Sequence, residues 1–285
     1  GGMPPAQFDG EIRERRAAHF KAALPAPLLD GVFSVPRFER LLREHDGLTP
    51  YLDVFDGTDL RQYVDRRQPG RTHLDLVGEY LRHGATVRLR SAELFDAELG
   101  ALTKALEHHL GGRCGGNVYL TPPGKAGFPP HFDLTDVFVI QCAGKKHWRL
   151  YERYTNMTEL PLGDARWDAE RFRPASSPLD LELARGDVLY LPRGYMHEAF
   201  CEDRESLHLT ISLASLTFAD LLHKVVGAAA MAKPRLDCTP IPMIATRCSG
   251  VGVKVEFDRV TRVFFVALSE FVACRKSCTP SEKVS

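Results

Sequence analysis

Apolar positions recur with two different periods along this chain, and the change of period divides it. Up to about residue 110 the spacing is mostly helical. Between residues 7 and 24, Ile12, Ala17, Phe20 and Leu24 recur at helical intervals among mixed charges and predict an amphipathic entry helix. Ser34-Val-Pro36 opens a second helix with Ser34 at its N-cap and Phe38, Leu41 and Leu42 on its apolar face. Thr49 to Phe55 reads as a short strand ending at Asp56-Gly57, and Leu74 to Leu81 as a helix stopped by His83-Gly84. Ala85 to Arg90 alternates as a strand. Ser91 to Leu110 reads as one long helix: Ser91 caps it, Leu94, Leu99, Leu102, Leu106 and Leu110 form its buried stripe, and Gly111-Gly112 ends it. His108 and His109 sit at that C-terminus, where the helix dipole suits a surface histidine.

From Gly116 onward the texture becomes short apolar runs broken by Gly and Pro. Strands are predicted near 116–121, 131–133, 136–142, 146–151, 181–184, 187–191, 196–201 and 206–213. Many short antiparallel strands with turn signals indicate a barrel or jelly roll, so the class is α+β with a mainly β core. Residues 152–178, with Arg166, Trp167, Arg171 and Arg173, form an insertion that reads equally as a lid or recognition loop and as a solvated excursion. Phe218 to Met231 reads as an Ala-rich helix, 253–260 alternates as a strand, and 263–268 is an apolar run. Three parts follow: a supporting α/β flank over 1–110, a β core over 111–216 containing the insertion, and a C-terminal helix and tail over 217–285.

Composition narrows the partners. The 285 residues carry 37 Lys plus Arg against 37 Asp plus Glu, so no bulk positive field exists to hold nucleic-acid phosphates. No apolar run reaches the length of a membrane span, the start has no signal-peptide pattern, and Gly1-Gly2 ahead of Met3 reads as a cloning scar. The 7 cysteines are odd in number and scattered, the usage of a reducing, cytoplasmic compartment.

The candidate chemistry lies in two stretches. Gly127-Phe-Pro-Pro-His131-Phe-Asp133 offers a histidine and a carboxylate two residues apart, which an extended chain projects from the same side. Gly186, Pro192, Gly194 and His197 keep the spacing G-x5-P-x-G-x2-H: a turn, a buried strand, a second turn, then a histidine. A lone H-x-D carries little weight. A histidine set just after a turn that closes a small barrel is poorly explained as core filler. Two histidines and one carboxylate on one face of an ion leave the opposite face open, the arrangement of non-haem Fe(II) oxygenases.

With these residues the chain resembles the cupin superfamily, and more narrowly the JmjC-type 2-oxoglutarate oxygenases of the ribosomal-oxygenase (cupin-4-like) branch. The resemblance runs from about Phe33 to Val226. It is densest in 116–124, 127–133, 137–151, 186–197 and 206–212. It implies a double-stranded β-helix, Fe(II) at His131, Asp133 and His197, 2-oxoglutarate as cosubstrate and O2 as oxidant. It further implies Lys146 as the cosubstrate's anchor, in the block Gly144-Lys-Lys-His-Trp148. Lys146 shares a strand face with Trp148, whereas His147 points away. Asn117 and Tyr119 match positions lining the cosubstrate and substrate pocket and are implied to bind the cosubstrate. His208, Thr210 and Ser212 form another same-face row, with Thr210 and Ser212 toward the cosubstrate and His208 toward the substrate; Asp136 is a further substrate-contact candidate.

The expected function is hydroxylation of a protein side chain, by resemblance a ribosomal-protein His or Arg. A small amino acid, a peptide natural product or a carrier-bound intermediate is the competing substrate class, and a non-catalytic metal-binding cupin is the competing role. N-methyl demethylation is the same hydroxylation followed by loss of formaldehyde, and these residues leave it open. Relatives commonly dimerise through C-terminal helices and a winged-helix domain; the chain after about residue 235 does not match that pattern, which puts a homodimer of that kind in doubt.

Overall fold

The computed structural model describes residues 7–57, 60–124, 127, 130–153, 178–215 and 222–225. Its centre is two antiparallel sheets. The strands are β1 (Ala18–Phe20), β2 (Leu52–Phe55), β3 (Leu60–Gln62), β4 (Thr86–Leu89), β5 (Gly112–Thr121), β6 (Asp136–Ala143), β7 (Lys145–Arg153), β8 (Leu179–Ala184), β9 (Val188–Leu191), β10 (Tyr195–Phe200) and β11 (Ser206–Ser215). The large sheet runs β1-β9-β6-β11-β5-β4-β2-β3 and the small one β10-β7-β8. The helices α1 (Ala26–Val32), α2 (Val35–Glu44), α3 (His73–Arg82) and α4 (Ala97–Leu110) belong to the N-terminal part.

Strand alternation decides which side each residue serves. In β11, Leu207, Leu209, Ile211 and Leu213 turn to one side. They join Val118 and Leu120 of β5, Phe138 and Ile140 of β6 and the α4 stripe in the main core. On the other side, Val137 and Val139 of β6 and Leu189 and Leu191 of β9 pack against Trp148 and Leu150 of β7 and Leu183 of β8. The middle of the large sheet is therefore covered on both faces, by helices on one and by the small sheet on the other. That is why β6 and β9 read as continuous apolar runs rather than alternating ones. Each fully buried leucine contributes about 1.5–3 kcal/mol of transfer free energy.

The tight β6–β7 connection depends on Gly144, whose φ is +63°. A Cβ there would overlap the Glu205 carbonyl oxygen, a clash with backbone that cannot be absorbed locally. Gly144→Ala is expected to cost about 3 kcal/mol or more, combining left-handed strain with that clash. Urea denaturation should show it as a lowered midpoint, and an unchanged midpoint would contradict the assigned turn.

The N-terminal part departs from the sequence pattern in three places. The entry helix over 7–24 is instead one π-helical turn, Phe8–Ile12, followed by the short edge strand β1. Glu14 and Ala22 take positive φ, which no continuous helix allows. The helical spacing arises because Phe8 and Ile12 anchor the first turn while β1 pairs with β9. Thr49 to Phe55 splits into a 3-10 helix, Asp46–Tyr51, and β2.

The helix expected from Ser91 begins later. Ser91 has left-handed backbone and gives its N–H to Asn117 Oδ1 at 3.2 Å. A 3-10 turn, Ala92–Leu94, follows, and Leu94 is exposed. Asp96 is the true cap of α4, accepting from the backbone N–H groups of Glu98 and Leu99 at 3.1 and 2.9 Å. Its carboxylate also pairs with the buried guanidinium of Arg37 in α2. β1 and β3 are too short to leave a readable pattern. Of the insertion expected over 152–178, residues 152 and 153 end β7 and 154–177 lie outside the described residues. Of the helix expected over Phe218 to Met231, 222–225 are helical and the rest lies outside them, as do the strands expected at 253–260 and 263–268.

Candidate active site

Two arms of chain meet at the end of the small sheet. His131 and His197 form an isolated antiparallel bridge, each N–H donating to the other's carbonyl at 3.0 and 2.8 Å. Residues 132 and 133 leave the strand pattern there, so the 131–133 strand reduces to this one bridge. The second arm arrives through the Pro192–Gly194 turn, where Gly194 takes φ +80° and gives its N–H to the Asp133 carbonyl at 2.9 Å. A bulge between Tyr195 and His197 interrupts the β10–β7 register and sets the direction of the His197 side chain.

These contacts bring the three side chains together. The His131 and His197 rings have centroids 4.4 Å apart, and His197 Nε2 lies 3.9 Å from Asp133 Oδ2. One ligand atom from each of His131, Asp133 and His197 lies within 4.8 Å of the others. His197 Nδ1 sits 2.9 Å from the Tyr195 carbonyl, a contact that fixes the proton on Nδ1 and leaves the Nε2 lone pair toward Asp133. Burial, with the neighbouring His131 second, pushes the His197 imidazole down to about 4. It is therefore neutral at physiological pH, the form a metal ligand needs.

Behind the triad a cavity of about 470 Å3, open mouth included, runs between the two sheets. Lys146 stands in its wall, 2% exposed, with Nζ 2.9 Å from Thr121 Oγ1. No carboxylate of the described residues pairs with this ammonium. Burial lowers its pKa to about 8, with only the Cys201 thiol acting the other way. An isolated buried cation is costly, and an incoming anion relieves that cost. Trp148 is buried on the same strand face, while His147 turns outward to Glu182 and Glu202, each at 3.3 Å.

The remaining candidates divide. Tyr119, His208 and Thr210 line the cavity. Tyr119 and His208 stack at 4.6 Å with rings nearly parallel, and Trp148 meets His208 edge-on at 5.7 Å. Burial, and then the charge on Lys146, holds the His208 imidazole well below its ordinary pKa. Asn117 and Ser212 do not reach this cavity: Asn117 holds the Ser91 N–H, and Ser212 Oγ donates to the Gly115 carbonyl at 3.2 Å. Asp136 does not reach it either. Its carboxylate turns to the opposite side of β6 from Val137, accepting from Tyr190 Oη at 3.1 Å and from the Arg193 N–H at 2.9 Å. Parity explains this, since Asp136 stands an odd number of residues from the cavity-facing Val137 and Val139.

Two hydroxyls escape the sequence reading. Thr121 shares a face with Tyr119, so the same alternation could have found it. Thr86 Oγ1, 3.2 Å from Thr121 Oγ1, comes from β4 in the flank, where the sequence carries no signal for it.

The residues fit an iron ion and a dicarboxylate. Two imidazoles and one carboxylate form a mixed N/O donor set suited to iron. The buried Lys146 ammonium suits the far carboxylate. His208 Nδ1 and Trp148 Nε1, both buried and both in cavity-lining residues, have no hydrogen-bond partner among the described residues.

Comparison with known proteins gives a family and a fold. A JmjC domain family model matches residues 95–221. The chain is 36% identical over 210 residues to Ribosomal oxygenase 1 of Gallus gallus, covering 70% of this chain and 33% of that protein. It is 36% identical over 207 residues to the bifunctional lysine-specific demethylase and histidyl-hydroxylase NO66 of Dictyostelium discoideum, covering 69% and 38%. The chain thus spans about a third of the length of these curated relatives. In fold it is similar to the X-ray structure of E. coli ycfD, with a TM-score of 0.56 and 16% identity, covering 98% of this chain and 69% of that one. A structure of YcfD in complex with cobalt and 2-oxoglutarate gives a TM-score of 0.56 at 14% identity, covering 98% and 68%.

Proposed function

This chain belongs to the JmjC-domain proteins, close to the ribosomal-oxygenase branch of the Fe(II)- and 2-oxoglutarate-dependent oxygenases, and from that premise we propose that it hydroxylates a protein side chain. The observation that carries the proposal is the pairing of His131, Asp133 and His197 at the cavity mouth with a buried Lys146 in its wall that no carboxylate of the described residues pairs with. A barrel that only stored metal would gain nothing from that buried cation.

In this reading His131, Asp133 and His197 hold Fe(II), and the two facing sheets correspond to the family's double-stranded β-helix. Iron with 2-oxoglutarate bound supplies the oxidation, coupling decarboxylation to succinate and reduction of O2 to conversion of a substrate C–H into C–OH. The protein's part is positional. Lys146 and Thr121 take the far carboxylate of the cosubstrate, Thr86 supports Thr121, and Thr210 adds a hydroxyl nearby. Tyr119 and His208 form a flat aromatic wall, and the apolar side chains of Val137, Val139 and Trp148 exclude water. Asn117 and Ser212 act outside this cavity, through the backbone groups they hold.

A protein or peptide substrate, a ribosomal protein by relationship, follows from the same family membership. The exposure of one ligand position supports it: the Asp133 side chain is 42% exposed, whereas His197 is buried, so among the described residues the triad is open on its Asp133 side. The part over 111–216 carries the chemistry in this proposal, with 1–110 as its support.

Succinate formation from 2-oxoglutarate under air, with Fe(II) and ascorbate, tests the proposal even without the substrate in hand. Wild type should produce metal-dependent succinate and His197→Ala none above background. Equal rates in the two, or no binding of 2-oxoglutarate to wild type by direct titration, would remove the oxygenase reading.

A further inference from the structure

We infer that Asp136 is a positioning residue for the metal triad: its buried carboxylate fastens the turn that delivers His197 and so fixes the two arms of the site relative to each other. This rests on the triad being a metal site, as proposed above.

The geometry begins with one turn tied twice to one strand entrance. Tyr195 N–H donates to the Pro192 carbonyl at 3.2 Å and closes the turn. Within it, Arg193 N–H donates to Asp136 Oδ1 at 2.9 Å, and the next residue, Gly194, donates to the Asp133 carbonyl at 2.9 Å. Two successive backbone donors thus hold the stretch that runs from the ligand Asp133 into β6. Asp136 Oδ2 accepts from Tyr190 Oη at 3.1 Å, and that oxygen accepts the Glu14 N–H at 2.9 Å. Tyr190 lies in β9, directly ahead of the turn. The carboxylate therefore joins the start of β6, the end of β9 and the turn between β9 and β10.

Asp136 is 1% exposed. A carboxylate so buried survives only with its oxygens occupied, and here both are occupied by donors that carry the route to His197. Removing it frees the Arg193 N–H and leaves Gly194 as the turn's remaining tie to this strand. The ligands themselves are untouched, so the effect belongs to their spacing. Partners outside the ligand shell commonly change metal affinity by about 10–100-fold.

The test has a metal-free half and a metal half. In protein without metal, Asp136→Ala should speed hydrogen exchange of the Arg193 and Gly194 amides about tenfold or more, with amides of the β5–β11 ladder unchanged. Titration with Co(II), followed by its visible absorption, should show affinity about 10–100-fold weaker than wild type. Asp136→Asn keeps an acceptor for Arg193 N–H and should restore most of both properties, which also provides the test if the alanine variant does not fold. Unchanged exchange at Arg193 and Gly194, or a loss of Co(II) affinity in Asp136→Asn as large as in Asp136→Ala, would overturn the inference. Faster exchange with unaltered Co(II) affinity would overturn its link to the metal. Failure of the underlying reading looks different: wild type and His131→Ala would then bind Co(II) equally.

Discussion

Asp133→Ala should abolish metal-dependent succinate formation, a fall of at least about 1,000-fold, while the melting temperature stays close to that of wild type. The asymmetry follows from where the residue sits. Its side chain is 42% exposed and contributes little packing, and the contact that ties this stretch to the Pro192–Gly194 turn is made by its backbone carbonyl, which alanine retains. His197 makes a less clean probe. It is buried, and its ring lies 5.8 Å from that of Trp148, so alanine there removes a proposed ligand and opens a hole together. A loss of activity in Asp133→Ala accompanied by unfolding in thermal melts would count against a chemical role.

Lys146→Met should move two properties in opposite directions. Affinity for 2-oxoglutarate should fall by about 100-fold or more, because in the proposed site the cosubstrate's far carboxylate would then be buried with no cation beside it. Without 2-oxoglutarate the same variant should be more stable than wild type. Burial lowers the Lys146 pKa to about 8 from 10.5, so the folded protein holds that proton less tightly than the unfolded chain does. The penalty is full below about pH 8 and fades as pH rises toward 10.5, the range over which the unfolded chain also releases the proton. At neutral pH it amounts to about 3 kcal/mol. The stabilisation by methionine should accordingly be largest at pH 7 and shrink by pH 10. Thermal melts at both pH values, beside calorimetric titration of 2-oxoglutarate, check both directions. A destabilised Lys146→Met that binds 2-oxoglutarate normally would make Lys146 a packing residue.

What the sequence discloses, and what it does not, follows physical lines. The ordered strands from β5 to β11 are legible because each is bounded by Gly, Pro or a charged turn and sets apolar residues against a face. His131, Asp133 and His197 are legible because their spacing to Gly and Pro fixes turns, and turns fix direction. Lys146 can be placed inside by strand parity with Trp148. Parity also states why Asp136 faces away, a deduction available from Val137 and Val139 but overridden by its nearness to the H-x-D pair. Ser91 misleads because its hydroxyl suits a cap, whereas its backbone is left-handed and the cap is Asp96. Thr86 is invisible, since its role depends on β4 lying beside β5, a pairing between distant segments.

That pairing also separates two borders usually drawn as one. The family match begins at residue 95, after β1 to β4 have passed, yet those strands complete the sheet on which the cavity is built. A fragment cut to 95–221 would keep every proposed iron ligand and lose the strands covering β9 and β5, leaving two bare sheet edges and a cavity without Thr86. The portion of the chain that can be inherited as chemistry is smaller than the portion that can stand alone in water.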